Sequence, residues 1–260
     1  MFADVTSANI VGYQNLSVNE GKTLATPTFY AVNGADIDIQ NIIPSGDDVP
    51  DGSSGNVISF YFLNANSGRD GSIYYWQNRT VQPPIPGFPS FDVYGWYTTP
   101  DPMDATSAKA VLTIPAGKAF YMSSPKVCFL TVSGEVAKKD VNVGLNVGKT
   151  IVGNPIPADM DIQQITPIGD DVPDGSSGNV ISFYFLNANS GRDGSIYYWQ
   201  NRTVQPPIPG FPSFDVYGWY TTPDPMDASS AKATFNMQAG KGFYLTSPKA
   251  CSLNFKGINK

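Results

Sequence analysis

The feature that most constrains the fold of this chain of 260 residues is an internal repeat. Every residue from Gly46 to Ala105 is identical to the residue 123 positions later, so a block of 60 residues occurs twice. The flanking sequences keep this offset but have diverged, as when "ADIDIQNIIPSG" in the first copy becomes "ADMDIQQITPIG" in the second. Such a period is too long for a solenoid unit or a propeller blade. We therefore predict two domains of one fold, at 1–137 and 138–260, related by pseudo-twofold symmetry.

Strand signals fill both copies. The runs "NVISFYFLN", "SIYYWQN" and "DVYGWYTT" are rich in β-branched and aromatic residues, and turn-forming segments such as "NANSGRDG" and "TPDPMD" separate them. No stretch of about ten residues keeps a helical apolar period free of Pro and Gly. The sequence predicts an all-β fold with two tandem homologous antiparallel β-sandwich or jelly-roll-like domains, each of about seven to nine short strands.

The charge and the residue types exclude several classes of function. The formal net charge is −6 and the basic residues are scattered, whereas a nucleic-acid binder needs a positive patch. The chain has no histidine, which excludes Ser-His-Asp and Cys-His catalysis and ordinary zinc sites. Paired carboxylates stay open as catalysts of a hydrolase. Since most acidic residues lie in turn signals, we expect a non-enzymatic protein.

The composition is typical of an extracellular β protein. Only 15% of the residues are charged, and the chain has 25 glycines and 22 prolines, whereas charged residues make up about 25% of an average soluble protein. No apolar run reaches the roughly 18 to 20 residues that span a bilayer, so we expect no transmembrane segment. We interpret the start "MFADVTSANIVGY" as a mature N-terminus after removal of a secretion signal, and we expect the protein to be secreted.

Two segments outside the identical block resemble a known class of module. The first, from Gly148, is "GKTIVGNPIPADMDI" and is similar to the signature GxxxVGNPxPxxxD. The second, from Ile114, is "IPAGKAFYM" and is similar to the signature xxxAGxGFxV. Both signatures are those of secreted, non-catalytic β-sandwich modules on bacterial surface proteins. The first half departs from this pattern, because its "GKTLATPTFYAVNG" lacks the GNP. The resemblance implies a cell-surface location and a structural or binding role.

The identical block carries the densest aromatic segments. Strand alternation places Tyr74 with Trp76 on one face of a strand, and Tyr94 with Trp96 on one face of another. Such rings could form the core, a platform for sugar rings or a subunit contact, and all three alternatives stay open. The candidate binding residues are these four, Phe88 in the following loop, and their counterparts Tyr197, Trp199, Phe211, Tyr217 and Trp219.

The segment "QPPIPGFPSF", which contains Phe88, is predicted to leave the sheet. Its prolines lack the N–H that a sheet ladder requires and fix φ, so it should form a stiff loop. A stiff apolar projection loses little conformational entropy when it docks on a partner. The alternative is a loop that folds back over an open edge of the sandwich.

The turn "GDDVPDGSSGN" concentrates acidic residues in both copies. Carboxylates at close spacing are ligands that calcium prefers, although this spacing fits no EF-hand. A solvated turn is the alternative that we favour over a calcium site. The candidate metal ligands are Asp47, Asp48, Asp51, Asp170, Asp171 and Asp174.

The two cysteines, Cys128 and Cys251, occupy equivalent positions in the two copies. They are either buried free thiols or a bridge between the halves.

These observations predict a protein that works by presenting surfaces. The leading hypothesis is a self-associating, matrix-forming or filament-forming structural component of a bacterial cell surface, whose partners are copies of itself. The alternative is a bivalent, adhesin-like carbohydrate-binding protein in which the tryptophans stack on glycans and the two identical sites add avidity.

Overall fold

The computed structural model describes residues 11–31, 35–64, 68–104, 106–137, 139–187, 191–227 and 229–257. Within these ranges the chain forms antiparallel strands and turns without an α-helix, and one-turn 3₁₀ helices occur at Ile39–Asn41 and Ile162–Gln164. No helix in the described part of the chain is long and apolar enough to cross a membrane. The predicted all-β fold is confirmed.

The strands of the first half form two antiparallel sheets and a two-residue ladder. In chain order they are β1 (Val11–Val18), β2 (Gly21–Ala25), β3 (Phe29–Tyr30), β4 (Ile37–Asp38), β5 (Ile42–Ser45), β6 (Ile58–Asn64), β7 (Gly68–Val81), β8 (Phe91–Tyr97), β9 (Thr113–Ile114), β10 (Phe120–Ser124) and β11 (Cys128–Val136). One sheet has the order β2-β10-β6-β7-β8. In the other, β11 pairs with β1 along one side and with β3 and β5 along the other. The small ladder joins β4 to β9.

The second half repeats this arrangement. Its strands are β12 (Val141–Leu145), β13 (Gly148–Gly153), β14 (Met160–Asp161), β15 (Ile165–Ile168), β16 (Ile181–Asn187), β17 (Gly191–Val204), β18 (Phe214–Tyr220), β19 (Asn236–Met237), β20 (Gly242–Ser247) and β21 (Cys251–Phe255). The sheets have the orders β13-β20-β16-β17-β18 and β12-β21-β15, and β14 pairs with β19. Each half has more strands than the predicted seven to nine, because two-residue strands leave little signal in the sequence.

Each half has an apolar core between its two larger sheets. In the first half, Phe60 and Phe120 of the five-stranded sheet are buried in the same cluster as Leu130 and Val132 of β11. The rings of Phe60 and Phe120 lie 4.2 Å apart between centroids. Their side chains alternate with outward-facing residues along each strand, as expected of sheets that bury one face. This packing is that of a β-sandwich.

The two halves contact each other through their five-stranded sheets. Tyr121 of β10 and Tyr244 of β20 are equivalent residues, and their hydroxyl oxygens lie 3.2 Å apart between the halves. Two backbone hydrogen bonds also join the halves. The Thr26 N–H donates to the Gly240 carbonyl and the Gly153 N–H donates to the Gly117 carbonyl, both at 2.9 Å. Thr26 is equivalent to Gly153 and Gly117 to Gly240, so each bond is the counterpart of the other. Exchange of equivalent contacts is what an isologous arrangement requires. The contacts therefore agree with the predicted pseudo-twofold symmetry, while the domain boundaries stay a prediction.

Candidate functional site: two apolar hairpin tips

The strands β7 and β8 form a long hairpin at one edge of the five-stranded sheet. Their register pairs Tyr75 with Tyr97 near the core and ends with the pair Val81 and Phe91. The segment between these last two residues lies outside the ladder, which confirms the prediction that its prolines remove it from the sheet. The same register recurs in the β17–β18 hairpin.

The segment 81–91, here called the tip, makes hydrogen bonds within itself. The N–H of Phe88 donates to the Ile85 carbonyl at 3.3 Å, and the Gln82 side-chain amide donates to the Phe88 carbonyl at 3.0 Å. Gly87 has a φ of 86°, a left-handed conformation that glycine adopts at little cost. The equivalent segment 204–214, the second tip, has the same two hydrogen bonds.

The tips expose apolar side chains to solvent. Val81, Ile85, Phe88 and Phe91 are between 39% and 56% exposed. The two phenylalanines have about 150–250 Å² each, and with the smaller Ile85 and Val81 the four side chains expose on the order of 300–400 Å² in total. This is comparable with the largest apolar patch of a typical monomer, at about 300–600 Å². The second tip exposes Val204, Ile208, Phe211 and Phe214 to the same extent. The chain thus has two equivalent apolar patches.

The predicted tryptophans do not belong to these patches. Trp96 is fully buried and its indole N–H donates to the Ile42 carbonyl at 2.8 Å, while Trp76 is buried beside it with a ring distance of 5.6 Å. Trp199 and Trp219 are buried in the same way in the second half. No tryptophan ring therefore offers an open face to a sugar.

The predicted tyrosines divide into two kinds. Tyr74 and its counterpart Tyr197 are partly buried and pack against the cores. Tyr94 is 52% exposed and stacks on Trp76, with ring centroids 6.2 Å apart and planes inclined by 26°. Tyr217 has the same arrangement on Trp199. Tyr94 and Tyr217 thus extend the aromatic surface from the core to solvent.

A groove of about 510 Å³ lies beside Tyr94 in the first half. Its apolar walls come from β5, β7, β8 and the loop after β5, and Lys109 adds the only cation. The lining residues are Gln40, Ile43, Pro44, Ser45, Gly46, Val49, Trp76, Tyr94 and Lys109. No local pattern in the sequence predicts this groove, because Ile43 and Lys109 meet Tyr94 only in the folded chain.

The opposite face of the hairpin holds a polar network that the sequence analysis missed. Arg79 lies over the ring of Tyr97 at 4.2 Å and donates two hydrogen bonds to the side-chain oxygen of Gln77, at 3.0 and 3.1 Å. Its guanidinium also donates to the carbonyls of Asp101 and Asp104, both at 3.1 Å. With its donors used in this way, Arg79 holds the loop after β8 against the hairpin and is not available to a ligand.

The acidic turns are solvated loops stabilised from within. Asp51 Oδ1 accepts hydrogen bonds from the Ser53 hydroxyl, the Ser53 N–H and the Asn56 amide, at 2.6, 3.0 and 2.7 Å. These bonds, led by that of the Ser53 hydroxyl, lower the pKa of the Asp51 carboxyl. The other acids of the turns are exposed: Asp47, Asp48, Asp170, Asp171 and Asp174. Among the described residues no group of three or more acidic, cysteine or histidine side chains could hold a metal, and the calcium site stays a prediction.

The two cysteines are free thiols. Cys128 is buried in β11, and Cys251 lies at the equivalent position in β21. Burial raises the pKa of both thiols, which keeps them protonated and weakly nucleophilic near neutral pH.

Comparison of the chain with protein-family models, with curated proteins and with solved structures gives no match. The surfaces of the molecule are therefore the guide to its function.

Proposed function

We propose that this chain is a secreted, non-enzymatic structural component of a cell surface that associates with copies of itself through its two hairpin tips. The observation that carries the proposal is the exposure of the same apolar side chains in both tips, Phe88 and Phe211 among them. Each tip is held by its own hydrogen bonds and by proline residues, so it loses little entropy on docking.

Two equivalent tips make each chain at least bivalent. A single contact that buries about 400 Å² on each partner totals about 800 Å², which is below a standard stable interface. Two tips give each copy two alternative surfaces for docking, so one copy can contact two neighbours at the same time. Contacts that do not close into a ring propagate into filaments or sheets, which suits a matrix component.

A bivalent carbohydrate-binding protein is the second candidate. The tryptophans are buried, so this candidate now depends on Tyr94 and Tyr217, whose exposed rings could stack on a sugar. Because each ring stacks on a tryptophan, sugar binding would change the tryptophan fluorescence. Titration with polysaccharides while recording that fluorescence tests this candidate.

The proposed self-association is tested with a double variant, Phe88→Asp with Phe211→Asp. A carboxylate at the centre of each tip would have to be desolvated in the contact, so we expect association to be lost. The matched control is Tyr13→Asp, since Tyr13 is an exposed aromatic residue outside the tips, at 75% exposure. Sedimentation velocity should show assemblies for the unchanged protein and the control, and monomers for the double variant. If the unchanged protein and both variants sediment alike, the proposal is refuted.

A further inference from the structure

The groove beside Tyr94 and the tips have complementary properties. The groove is lined by the exposed side chains of Ile43 and Tyr94, above Trp76 and Pro44. It is open to solvent, and its volume of about 510 Å³ is sufficient for one projecting aromatic side chain. An apolar projection and an apolar groove on one molecule are two unlike parts that can form a head-to-tail contact between copies.

The charges of the two surfaces are also complementary. Lys109 is exposed at the groove, and its side chain passes close to Gly95, where an added Cβ would lie 2.9 Å from the lysine Cε. No carboxylate among the described residues forms an ion pair with Lys109. The segment 80–92 contains no cation and one acid, Asp92, which directly follows Phe91. Because the whole chain carries a charge of −6, copies repel one another unless opposite charges meet locally.

We propose that the groove of the first half receives a hairpin tip of a second copy of this chain, with Phe88 or Phe211 in the groove and the acid beside the tip facing Lys109. This inference depends on the self-association proposed above and names its acceptor surface. The tip cannot reach the groove of its own half, because β8 runs as one regular strand from Phe91 past Tyr94. The contact is therefore between unlike surfaces, and it propagates from copy to copy.

The second half differs at the equivalent groove. Thr166 stands where the first half has Ile43, and Ile168 stands where it has Ser45. The isoleucine of this wall is therefore two residues further along the strand in the second half, and a threonine takes the position of Ile43, so the two walls differ in shape. We therefore assign the acceptor groove to the first half, while both tips can dock.

The experiment is a complementation between two variants of the full chain. The tip variant is Phe88→Asp with Phe211→Asp, and the groove variant is Tyr94→Asp with Lys109→Glu. Each variant alone should be monomeric, while an equimolar mixture should form complexes, because the first variant keeps its groove and the second keeps its tips. A contact between two tips predicts instead that the groove variant associates alone.

Control variants distinguish loss of the groove contact from misfolding and from a general loss of self-association. Tyr217→Asp with Lys232→Glu makes the same changes in the second half, and we expect it to associate like the unchanged protein. Ile43→Lys is a second groove variant that leaves β8 unchanged, and it should raise the concentration of half-association at least about tenfold. Thermal unfolding of every variant checks the fold.

The outcomes are distinguishable. If the unchanged protein is monomeric, self-association itself is refuted. If the unchanged protein associates and both groove variants associate equally well, only the groove is refuted as the acceptor. A groove variant that associates normally but no longer binds a polysaccharide would make the groove a glycan site and would also refute the inference.

Discussion

Truncation of the two tip phenylalanines should weaken association by an amount that the structure allows us to estimate. Phe88 is 56% exposed and Phe211 is 57% exposed. For an aromatic side chain of about 200 Å² this leaves about 110 Å² available for burial in a contact. At about 25 cal/mol per Å², each buried phenylalanine contributes about 3 kcal/mol, or roughly a hundredfold in the dissociation constant.

The bivalence of the chain makes single and double variants differ sharply. In Phe88→Ala or Phe211→Ala alone, the other tip can still dock in the single acceptor groove of a neighbour. Only the statistical factor of two equivalent tips is lost, so the concentration of half-association should rise about twofold. In the double alanine variant no intact tip remains, and that concentration should rise about a hundredfold. Sedimentation equilibrium of the four proteins measures these shifts.

The same variants test the assumption that the tips are outside the core. Because both side chains are largely exposed, the free energy of unfolding should change by no more than about 0.5 kcal/mol. Urea unfolding at low protein concentration checks this. A double variant with an unchanged association curve, or a single variant as impaired as the double, would refute the reasoning about the tips.

Two further predictions concern the framework that supports the hairpins. Gly52→Ala should lower the free energy of unfolding by about 3 kcal/mol or more, because the glycine has a φ of +77° and its new Cβ would lie 2.3 Å from the backbone nitrogen of Asn78. Gly55→Ala is the control: it has a φ of +79° with open space around it and should lower the same free energy by only about 1 kcal/mol. Equal losses in urea unfolding would contradict the close contact at Gly52. Burial, together with the Tyr121 hydroxyl, raises the pKa of Tyr244 above its ordinary value of 10.0. The neutral phenol is therefore favoured by the fold, and stability is complete below about pH 10 and falls as the pH rises above it. Tyr244→Phe should reduce the loss of unfolding free energy between about pH 8 and about pH 11, and an unchanged pH dependence would contradict this.

The fold class could be predicted because the strand signals are local. Alternating β-branched and aromatic runs separated by Gly and Pro mark β6, β7 and β8 in the sequence. The prolines around Phe88 also mark the tip, since a residue without an N–H cannot continue the ladder. The two-residue strands β3 and β9 have no such pattern, because pairing partners far away in the sequence define them.

The aromatic residues show what alternation cannot decide. It places Tyr94 and Trp96 on one face, as the structure does, but Trp96 is fully buried while Tyr94 is half exposed. The difference arises from position along β8, since Trp96 lies under the Ile42 carbonyl and Tyr94 lies nearer to the tip. How far the core extends along a strand depends on the opposite sheet, which a local pattern does not contain.

The groove was beyond the reach of the sequence for a related reason. Ile43 and Lys109 are separated from Tyr94 by 51 and 15 residues, respectively, and meet it only in the folded chain. A lone lysine before a two-residue strand gives no signal of a binding surface. Only the folded structure shows that Lys109 lies beside apolar walls and that no described carboxylate forms an ion pair with it.

Both proposals require that this chain associates with itself through the tips that occur in both halves. The most direct measurement is the mass of the purified protein in solution across a range of about a hundredfold in concentration, with and without calcium. We expect growth from monomer to large assemblies as the concentration rises. A strict monomer at every concentration, in both conditions, would contradict it.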